Sequence, residues 1–123
     1  MANPNEQAAQ QFPKTYKVII AVNTPHGVGY FADSEGNKLF NKQFEEVCEF
    51  SEGLARVVQN GKWGFINTKG EVVIPCIYDF AWAFSEGLAE VKQDGKGSII
   101  NKEGKVIVAE YGWTTSWSKV EME

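Results

Sequence analysis

Short apolar segments alternate with turn sequences along the second half of the chain. Asn60-Gly61 and Asp94-Gly95 each separate two such segments, and these dipeptides accept the positive φ angles that a type I′ hairpin turn requires. A longer turn follows each hairpin, at 67–70 and 101–104, and fits a type I turn closed by a left-handed glycine. The pattern predicts three short strands per unit, over residues 54–59, 62–67 and 71–75, and again over 88–93, 96–101 and 105–109.

The segment 76–84 is predicted to link one three-stranded unit to the next. Because Pro75 cannot donate to a central ladder, we expect it to end the third strand. Gly53 and Gly87, in turns leading to the next first strand, are expected to adopt backbone angles that other residues tolerate poorly. Four aromatic residues alternate within the linker and are expected to fill the gap between units: Tyr78, Phe80, Trp82 and Phe84.

These units are copies of one another. The sequence Phe-Ser-Glu-Gly-Leu-Ala at 50–55 recurs at 84–89, and at this offset of 34 more than half of the amino acids over 50–74 are identical. A divergent earlier copy aligns Glu45 with Asp79, and Gly29-Tyr30-Phe31 with Gly64-Phe65-Ile66 after one extra loop residue. We therefore predict an all-β domain over 16–123, a tandem array of about three antiparallel meanders at about 16–49, 50–83 and 84–117. A loosely ordered segment is expected over 1–15.

The middle unit resembles the WG repeat family, also called KWG repeats. The resemblance is carried by Gly-Lys-Trp-Gly-Phe-Ile-Asn at 61–67, followed by Gly70, Val-Ile-Pro at 73–75 and Tyr-Asp at 78–79. The last unit departs from the family pattern with Gly97-Ser98 in place of Trp-Gly and Ala109 in place of Pro, and the first has Val28 in place of the Trp. The resemblance implies a chiefly bacterial β-repeat array with no catalytic residue to carry over.

Composition and charge narrow the classes of partner. The net charge of -4 argues against nucleic acid, because phosphate contacts need clustered Lys and Arg, which are scattered singly here. The N-terminal residues resemble no secretory signal, and no apolar run is long enough to span a bilayer. Cys48 and Cys76 form no metal-ligand pattern and are most simply reduced, although one disulfide between them stays open. We expect a cytoplasmic protein that does not bind membranes.

The residues that bear reactive groups do not form a catalytic pattern. His26 lies in a predicted Pro-His-Gly turn without a sequence-adjacent nucleophile, and a metal site is disfavoured because this is the only histidine. Trp63 could provide a stacking platform for a ligand, but a packing role inside its strand is favoured. The sequence therefore predicts no enzymatic activity, no cofactor and no metal.

Three places are candidates for partner binding because they differ most between the copies: the acidic run, the altered hairpin at Gly97-Ser98 and the tail. The acidic run of Glu45, Glu46, Glu49 and Glu52 is either solvated surface or a patch that attracts a basic partner. Trp113 and Trp117 in the tail either cap the array or form a binding hot spot. The favoured function is a non-catalytic protein–protein interaction module. The alternative is an inhibitor or immunity protein that neutralises a basic toxin, such as a nuclease; the oligomeric state stays open.

Overall fold

The computed structural model describes residues 17–111 and 118–120, and within them all regular structure is β. This confirms the all-β prediction. The N-terminal segment over 1–15 and the tail tryptophans lie outside the described residues. The strands are β1 (Ile20–Asn23), β2 (Gly29–Ala32), β3 (Lys38–Phe44), β4 (Glu46–Ser51), β5 (Leu54–Gln59), β6 (Lys62–Asn67), β7 (Val72–Tyr78), β8 (Phe80–Ala81), β9 (Leu88–Gln93), β10 (Lys96–Asn101) and β11 (Val106–Tyr111).

The strands form three antiparallel sheets, one for each predicted repeat. Strands β1, β2 and β3 form the first sheet, β4 to β7 the second and β8 to β11 the third, each in sequential order. The consecutive meanders β1-β2-β3, β5-β6-β7 and β9-β10-β11 confirm the repeat interpretation. Sequential hairpins of this kind need only short turns, so each meander is specified by local sequence.

The second and third sheets each gain a fourth strand from the segment between repeats. Strand β4 follows β3 and pairs with β5, while β8 follows β7 and pairs with β9. The segment 76–84 is therefore not a free linker, because its first half completes β7 and its middle forms β8. The chain leaves one sheet at its last edge and joins the next sheet at its first edge, which couples adjacent repeats through backbone hydrogen bonds.

Pro75 lies inside β7, so the expectation that it ends the third strand is wrong. Strand β7 pairs only with β6 among the described strands, and the register slips between the pairs Phe65–Ile74 and Trp63–Tyr78. An edge strand with a bulge tolerates proline, since no neighbouring strand needs its missing N–H group. Gly64 permits this close approach, because a Cβ there would lie 2.6 Å from the Ile74 carbonyl oxygen.

The predicted type I′ turns are present, and two further turns share their geometry. Asn60 and Gly61 have φ values of 54° and 74°, and the Asp94-Gly95 turn also has positive φ at both residues. Gly53 and Gly87, at 82° and 81°, confirm the prediction for the Ser-Glu-Gly-Leu turns. The preceding Glu52 and Glu86 are left-handed as well.

The longer turn is closed in the same way in all three repeats. Asp33, Asn67 and Asn101 are related by the repeat offset, and each side-chain oxygen accepts hydrogen bonds from the backbone N–H groups two and four residues later. These side chains replace missing backbone partners and fix the turn, as Asx turns do. Gly36, Gly70 and Gly104 close the turns with φ values of 87°, 82° and 80°.

Two cores lie between the three sheets, and the middle sheet contributes to both of them. Alternation within β5 and β6 sends Ala55, Val57 and Ile66 to the first core and Leu54 and Phe65 to the second, as expected for strands with two covered faces. The first core also contains Phe31, Phe44 and Val47, and the second also contains Ile74, Ala81, Phe84, Ala89, Val91 and Ile100.

The register of the first repeat differs from the sequence alignment. Gly29 pairs with Phe44 across β2 and β3, as Trp63 pairs with Tyr78 across β6 and β7, so the offset is 34 without an extra loop residue. Gly29, rather than Val28, therefore occupies the Trp63 position. The sequence alignment inserted one residue so that Gly29 matched Gly64, and it thereby misplaced the buried Phe31. The predicted insertion is therefore wrong.

Candidate partner-binding surface

Glu45, the first residue of the predicted acidic patch, has a structural partner. It lies between β3 and β4, and its carboxylate accepts hydrogen bonds from the backbone N–H groups of Asn60 and Gly61, the latter at 3.1 Å. These donors point outward from a type I′ turn and form a small anion-binding concavity. Glu45 therefore joins the end of one repeat to the first hairpin of the next.

Glu52, the last residue of the acidic patch, makes a similar contact with a different turn, the one that precedes β9 in the third repeat. Its carboxylate accepts from the backbone N–H groups of Glu86 and Gly87, at 2.8 Å for Gly87, and lies 3.5 Å from the Lys102 Nζ. The backbone hydrogen bond from Gly87 is the main reason that the pKa of Glu52 falls below its ordinary value. Glu52 thus connects the second repeat to the third.

The acidic run is therefore divided between two roles. Glu46 and Glu49 lie on β4 with exposed side chains, and among the described residues neither forms a salt bridge. These two carboxylates remain available to a basic partner. Trp113 and Trp117, the other predicted binding residues, lie outside the described part of the chain.

Asp79, which the repeat alignment pairs with Glu45, makes the corresponding contact at the next junction. Its carboxylate accepts from the backbone N–H of Asp94 at 2.8 Å and forms a salt bridge with Lys62. The side-chain hydrogen bond from Lys62 is the largest cause of the lowered pKa of Asp79. Because the two acidic residues are related by the repeat offset, the alignment contained the signal that both serve the next hairpin turn.

An aromatic row crosses the junction between the second and third repeats. The Trp63 ring lies 5.0 Å from the Phe80 ring, which lies 4.5 Å from the Trp82 ring, measured between centroids. The Arg56 guanidinium lies 5.6 Å from the Trp63 ring, and the Lys92 Nζ lies 5.8 Å from the Trp82 ring. Trp63 is half-buried against the second core, which supports its packing role, whereas Trp82 is exposed.

Two grooves occupy equivalent positions at the two junctions between repeats. Four pairs of lining positions are related by the repeat offset: Phe44 with Tyr78, Gln59 with Gln93, Val72 with Val106 and Pro75 with Ala109. The first groove, of about 440 Å³, is also lined by Lys42, Gln43, Asn60 and Cys76. The second groove, of about 480 Å³, is also lined by Val91, Ser98 and Ile100.

The two grooves combine apolar surface with a few polar groups. The second groove has no charged residue in its lining, and Tyr78, Gln93 and Ser98 bring a hydroxyl, an amide and a second hydroxyl to its apolar floor. Burial raises the pKa of Tyr78, so its hydroxyl stays protonated and able to donate. An apolar lining with a few placed polar groups is typical of sites that hold a ligand or a partner side chain.

Apolar side chains are exposed along β7 and β11, next to these grooves. Both are the last edge strands of their sheets, each paired on one side only among the described strands. The exposed members are Val72, Val73 and Ile77 on β7, and Val106, Ile107 and Val108 on β11. Apolar side chains concentrated on edge strands mark an interaction surface more strongly than scattered ones do.

The groups considered for catalysis lie apart from this surface or are weakly reactive. His26 is exposed in the turn between β1 and β2. Cys48 and Cys76 are not bonded to each other, and burial raises the pKa of both thiols, which lowers their reactivity. The described residues contain no cluster of metal-ligating side chains and no helix able to cross a membrane.

The fold and this surface define an all-β tandem-repeat protein, in which stacked antiparallel sheets are coupled by strands that pass between them. The sequence model of the family described as WG containing repeat matches two adjacent stretches, residues 31–63 and 63–96, which cover more than half of the chain. The chain therefore belongs to the WG-repeat family. A search of curated proteins and a search of solved structures found no match.

Proposed function

We propose that this protein is a non-catalytic protein–protein interaction module, and that its partner binds along the third strands of the second and third repeats. The observation that carries the proposal is the set of exposed apolar side chains on β7 and β11, beside two equivalent grooves. Burying such side chains against a partner is favourable by roughly 25 cal/mol per Å² before the costs of association. These exposed side chains distinguish β7 and β11 from the other strands, because the other large apolar side chains of these repeats mostly pack within the array.

A crosslinking experiment tests this placement. A photo-crosslinking residue is placed at Val72, at Val106 or at Val18 in three otherwise identical proteins. Val72 and Val106 are 48% and 51% exposed on the proposed surface, whereas Val18 is 53% exposed and lines neither groove. The same cellular partner should crosslink at Val72 and at Val106 but not at Val18.

The purified partner then provides a quantitative check. The double variant Val72→Asp with Val106→Asp should bind it at least about tenfold more weakly, because two carboxylates would have to be desolvated at the interface. Val18→Asp, equally exposed, is the matched control and should bind like the parent. Equal crosslinking at all three positions, or an unchanged affinity of the double variant, would place the interaction elsewhere.

A second candidate, inhibition of a basic protein such as a nuclease toxin, is favoured by the two free carboxylates on β4. Charge reversal of Glu46 and Glu49 to Lys should slow association with a basic partner and reduce its dependence on salt. Glu35→Lys with Glu103→Lys, in exposed turns, changes the net charge equally and is the control. Equal association rates for both double variants would remove this candidate.

A further inference from the structure

The third strands β3, β7 and β11 each form the last edge of a sheet, but they differ in how well that edge can receive another strand. Each is paired on one side only among the described strands, so a row of backbone N–H and C=O groups faces away from its sheet. Such a row is a template for a further strand unless the edge strand is interrupted. Which of the three edges can bind a strand depends on those interruptions.

Strands β3 and β7 are both interrupted in the middle. Phe40 and Asn41 of β3 have left-handed φ values of 68° and 49°, which take the backbone out of the extended conformation. Pro75 of β7 has no N–H group to offer to a neighbouring strand. Neither edge can therefore form a continuous ladder with an added strand.

Strand β11 has neither interruption. Ala109 occupies the position of Pro75, and no residue of β11 has a left-handed φ. Its pairing with the middle strand of the repeat is also the least distorted of the three, although a bulge near Val106 matches one near Val72 of β7. Beyond that bulge, while the middle strand advances two residues, β3 advances five, β7 four and β11 three. The edge of β11 is thus the most regular of the three.

The side chains of β11 are open on both faces of the strand. Val106, Ile107 and Val108 are 51%, 52% and 45% exposed, and Ala109 is exposed as well. Because successive residues of a strand point to opposite faces, apolar groups are available on both faces of this edge. In β7 the equivalent of Val108 is Ile74, which is only 1% exposed because it packs in the core shared with the third repeat. A strand added to β11 therefore finds apolar neighbours on each of its faces.

We propose that the partner adds an extended segment to β11 as a fifth, antiparallel strand of the third sheet. This inference rests on the proposed interaction function and specifies how the partner binds at that surface. The segment is a run of β-branched or aromatic residues, because these form favourable cross-strand pairs with the valine and isoleucine side chains of β11. The antiparallel direction is chosen because antiparallel pairing is slightly more stable per residue than parallel pairing.

Lys105 adds a charge preference at the start of the strand. It is exposed and immediately precedes β11, and it forms no salt bridge with any other described residue. In an antiparallel pair, the residue opposite Lys105 follows the apolar run of the added segment. An acidic residue at that point gains an opposite-charge cross-strand pair. The ligand is therefore an apolar extended segment with Asp or Glu directly after the run.

A second copy of this chain fits the edge less well. Hydrogen-bonded and non-hydrogen-bonded pairs alternate along an antiparallel ladder, so a two-fold axis aligns only residues whose numbers differ by an even number. Lys105 would then lie opposite an odd-numbered residue of the second β11, and these are Ile107, Ala109 and Tyr111, none of which is acidic. The net charge of -4 on each copy further opposes self-association. These features favour a segment of another protein.

Synthetic peptides test strand addition by calorimetric titration of the full-length protein. The parent peptide carries a run of alternating valine, isoleucine and threonine followed by glutamate. Two N-methylated versions carry methyl groups on alternate backbone nitrogens of the run, on the odd positions in one and on the even positions in the other. Only one of these two sets of N–H groups faces β11 in a ladder, so one version should bind at least about tenfold more weakly than the other. A peptide with the glutamate before the run should also bind more weakly than the parent peptide.

Protein variants link this binding to the edge of β11. Ala109→Pro gives β11 the interruption that β7 has, and the fold should accommodate it because β7 has proline at the equivalent position. It should weaken binding of the parent peptide at least about tenfold, whereas Ala109→Ser keeps the N–H group and should bind like the unchanged protein. Lys105→Glu should weaken binding of the parent peptide, and replacing the peptide's glutamate by lysine should restore it. Urea unfolding of each variant checks that the fold is retained.

Equal affinity of the two N-methylated peptides, or unchanged binding to Ala109→Pro, would overturn the proposal. Sedimentation without peptide should show no dimer, and a dimer that Ala109→Pro abolishes would assign the edge to a second copy instead. If a cellular partner crosslinks at Val72 and Val106 but binds Ala109→Pro as tightly as the unchanged protein, the interaction function stands and strand addition is wrong. If no partner crosslinks at these positions and the N-methylated peptides do not differ, both fail.

Discussion

Three glycines at the same turn position in successive repeats provide a direct test of repeat stacking. Gly36, Gly70 and Gly104 all have φ between 80° and 87°, so alanine at each position meets the same backbone strain. They differ in their surroundings: a Cβ at Gly36 would have no atom within 4 Å, while at Gly70 and Gly104 it would meet a side chain of the preceding repeat. The difference in unfolding free energy between the variants therefore measures how tightly each turn packs against the preceding repeat.

The reference cost comes from Gly36→Ala. Left-handed backbone costs an L-residue roughly 1–2 kcal/mol. Replacing glycine also restricts the unfolded chain, which offsets roughly 0.4–1 kcal/mol of that cost. We therefore expect Gly36→Ala to lower the free energy of unfolding by no more than about 1.5 kcal/mol.

Gly70→Ala adds a severe steric term at the first junction. The new Cβ would overlap Cγ of Phe40 and lie 2.6 Å from its Cβ, the inflexible base of that side chain. Phe40 has a left-handed φ of 68°, and its ring packs 5.9 Å from the ring of Phe31, so it has little room to retreat. Overpacking costs roughly 1–3 kcal/mol, which places Gly70→Ala at about 2–4 kcal/mol.

Gly104→Ala is expected to fall between the other two. Its Cβ would lie 3.3 Å from Cγ1 of Ile74, which can yield by a small movement. Urea unfolding, followed by circular dichroism and tryptophan fluorescence, gives the free energy of unfolding of each variant. The three values can be compared if the dependence of that free energy on urea concentration has the same slope in all of them. If Gly70→Ala proves no more destabilising than Gly36→Ala, the reasoning that the turn of one repeat packs on the strand of the preceding repeat is wrong.

Three further changes test the inter-repeat contacts and the thiols. Because hydrogen bonds lower the pKa of Glu52 in the folded protein, its contribution is present above about pH 4.5 and is lost as the pH falls through the folded value; urea midpoints between about pH 3 and 6 should fall less steeply for Glu52→Gln. Phe84→Ala empties a fully buried position and should lower the free energy of unfolding by about 3–5 kcal/mol in the same assay, whereas a loss below about 2 kcal/mol would contradict its core role. Burial raises the pKa of Cys48 and Cys76, so an aromatic disulfide reagent should modify both more slowly in the native than in the urea-unfolded protein near pH 7; equal rates would contradict this.

The turns and the three meander strands of the second and third repeats could be predicted from sequence because their chemistry is local. Asn60-Gly61 and Asp94-Gly95 specify type I′ geometry through residues that tolerate positive φ. The predicted strands of the second and third repeats closely follow the observed ones. Glycine, asparagine and aspartate accept positive φ angles wherever the rest of the chain lies, so these turns depend little on tertiary context.

Strands β4 and β8, which connect adjacent repeats, were not predicted because their pairing partners belong to the next repeat. Nothing in the local pattern of β8 distinguishes an aromatic linker from an edge strand, and only the approach of β9 supplies its hydrogen-bond partners. The position of Pro75 was misjudged for a related reason. A proline excludes a central strand, but whether β7 is central or at an edge depends on the topology of the whole sheet.

The acidic patch shows how repeat architecture limits the search for a binding surface. Glu45, Glu52 and Asp79 each bind turn N–H groups of a hairpin that lies further along the chain. A run of carboxylates therefore contains members whose charge is already engaged within the array.

A partner can use only the groups that stacking leaves unengaged. By this criterion, Glu46 and Glu49 on β4 remain available, as do the apolar side chains of β7 and β11. The apolar side chains recur at both junctions together with their grooves, whereas the two free carboxylates occur in one repeat only. A repeated surface can bind an extended ligand in register with the repeats, and for this reason the third strands, rather than the acidic strand, carry the proposed binding function.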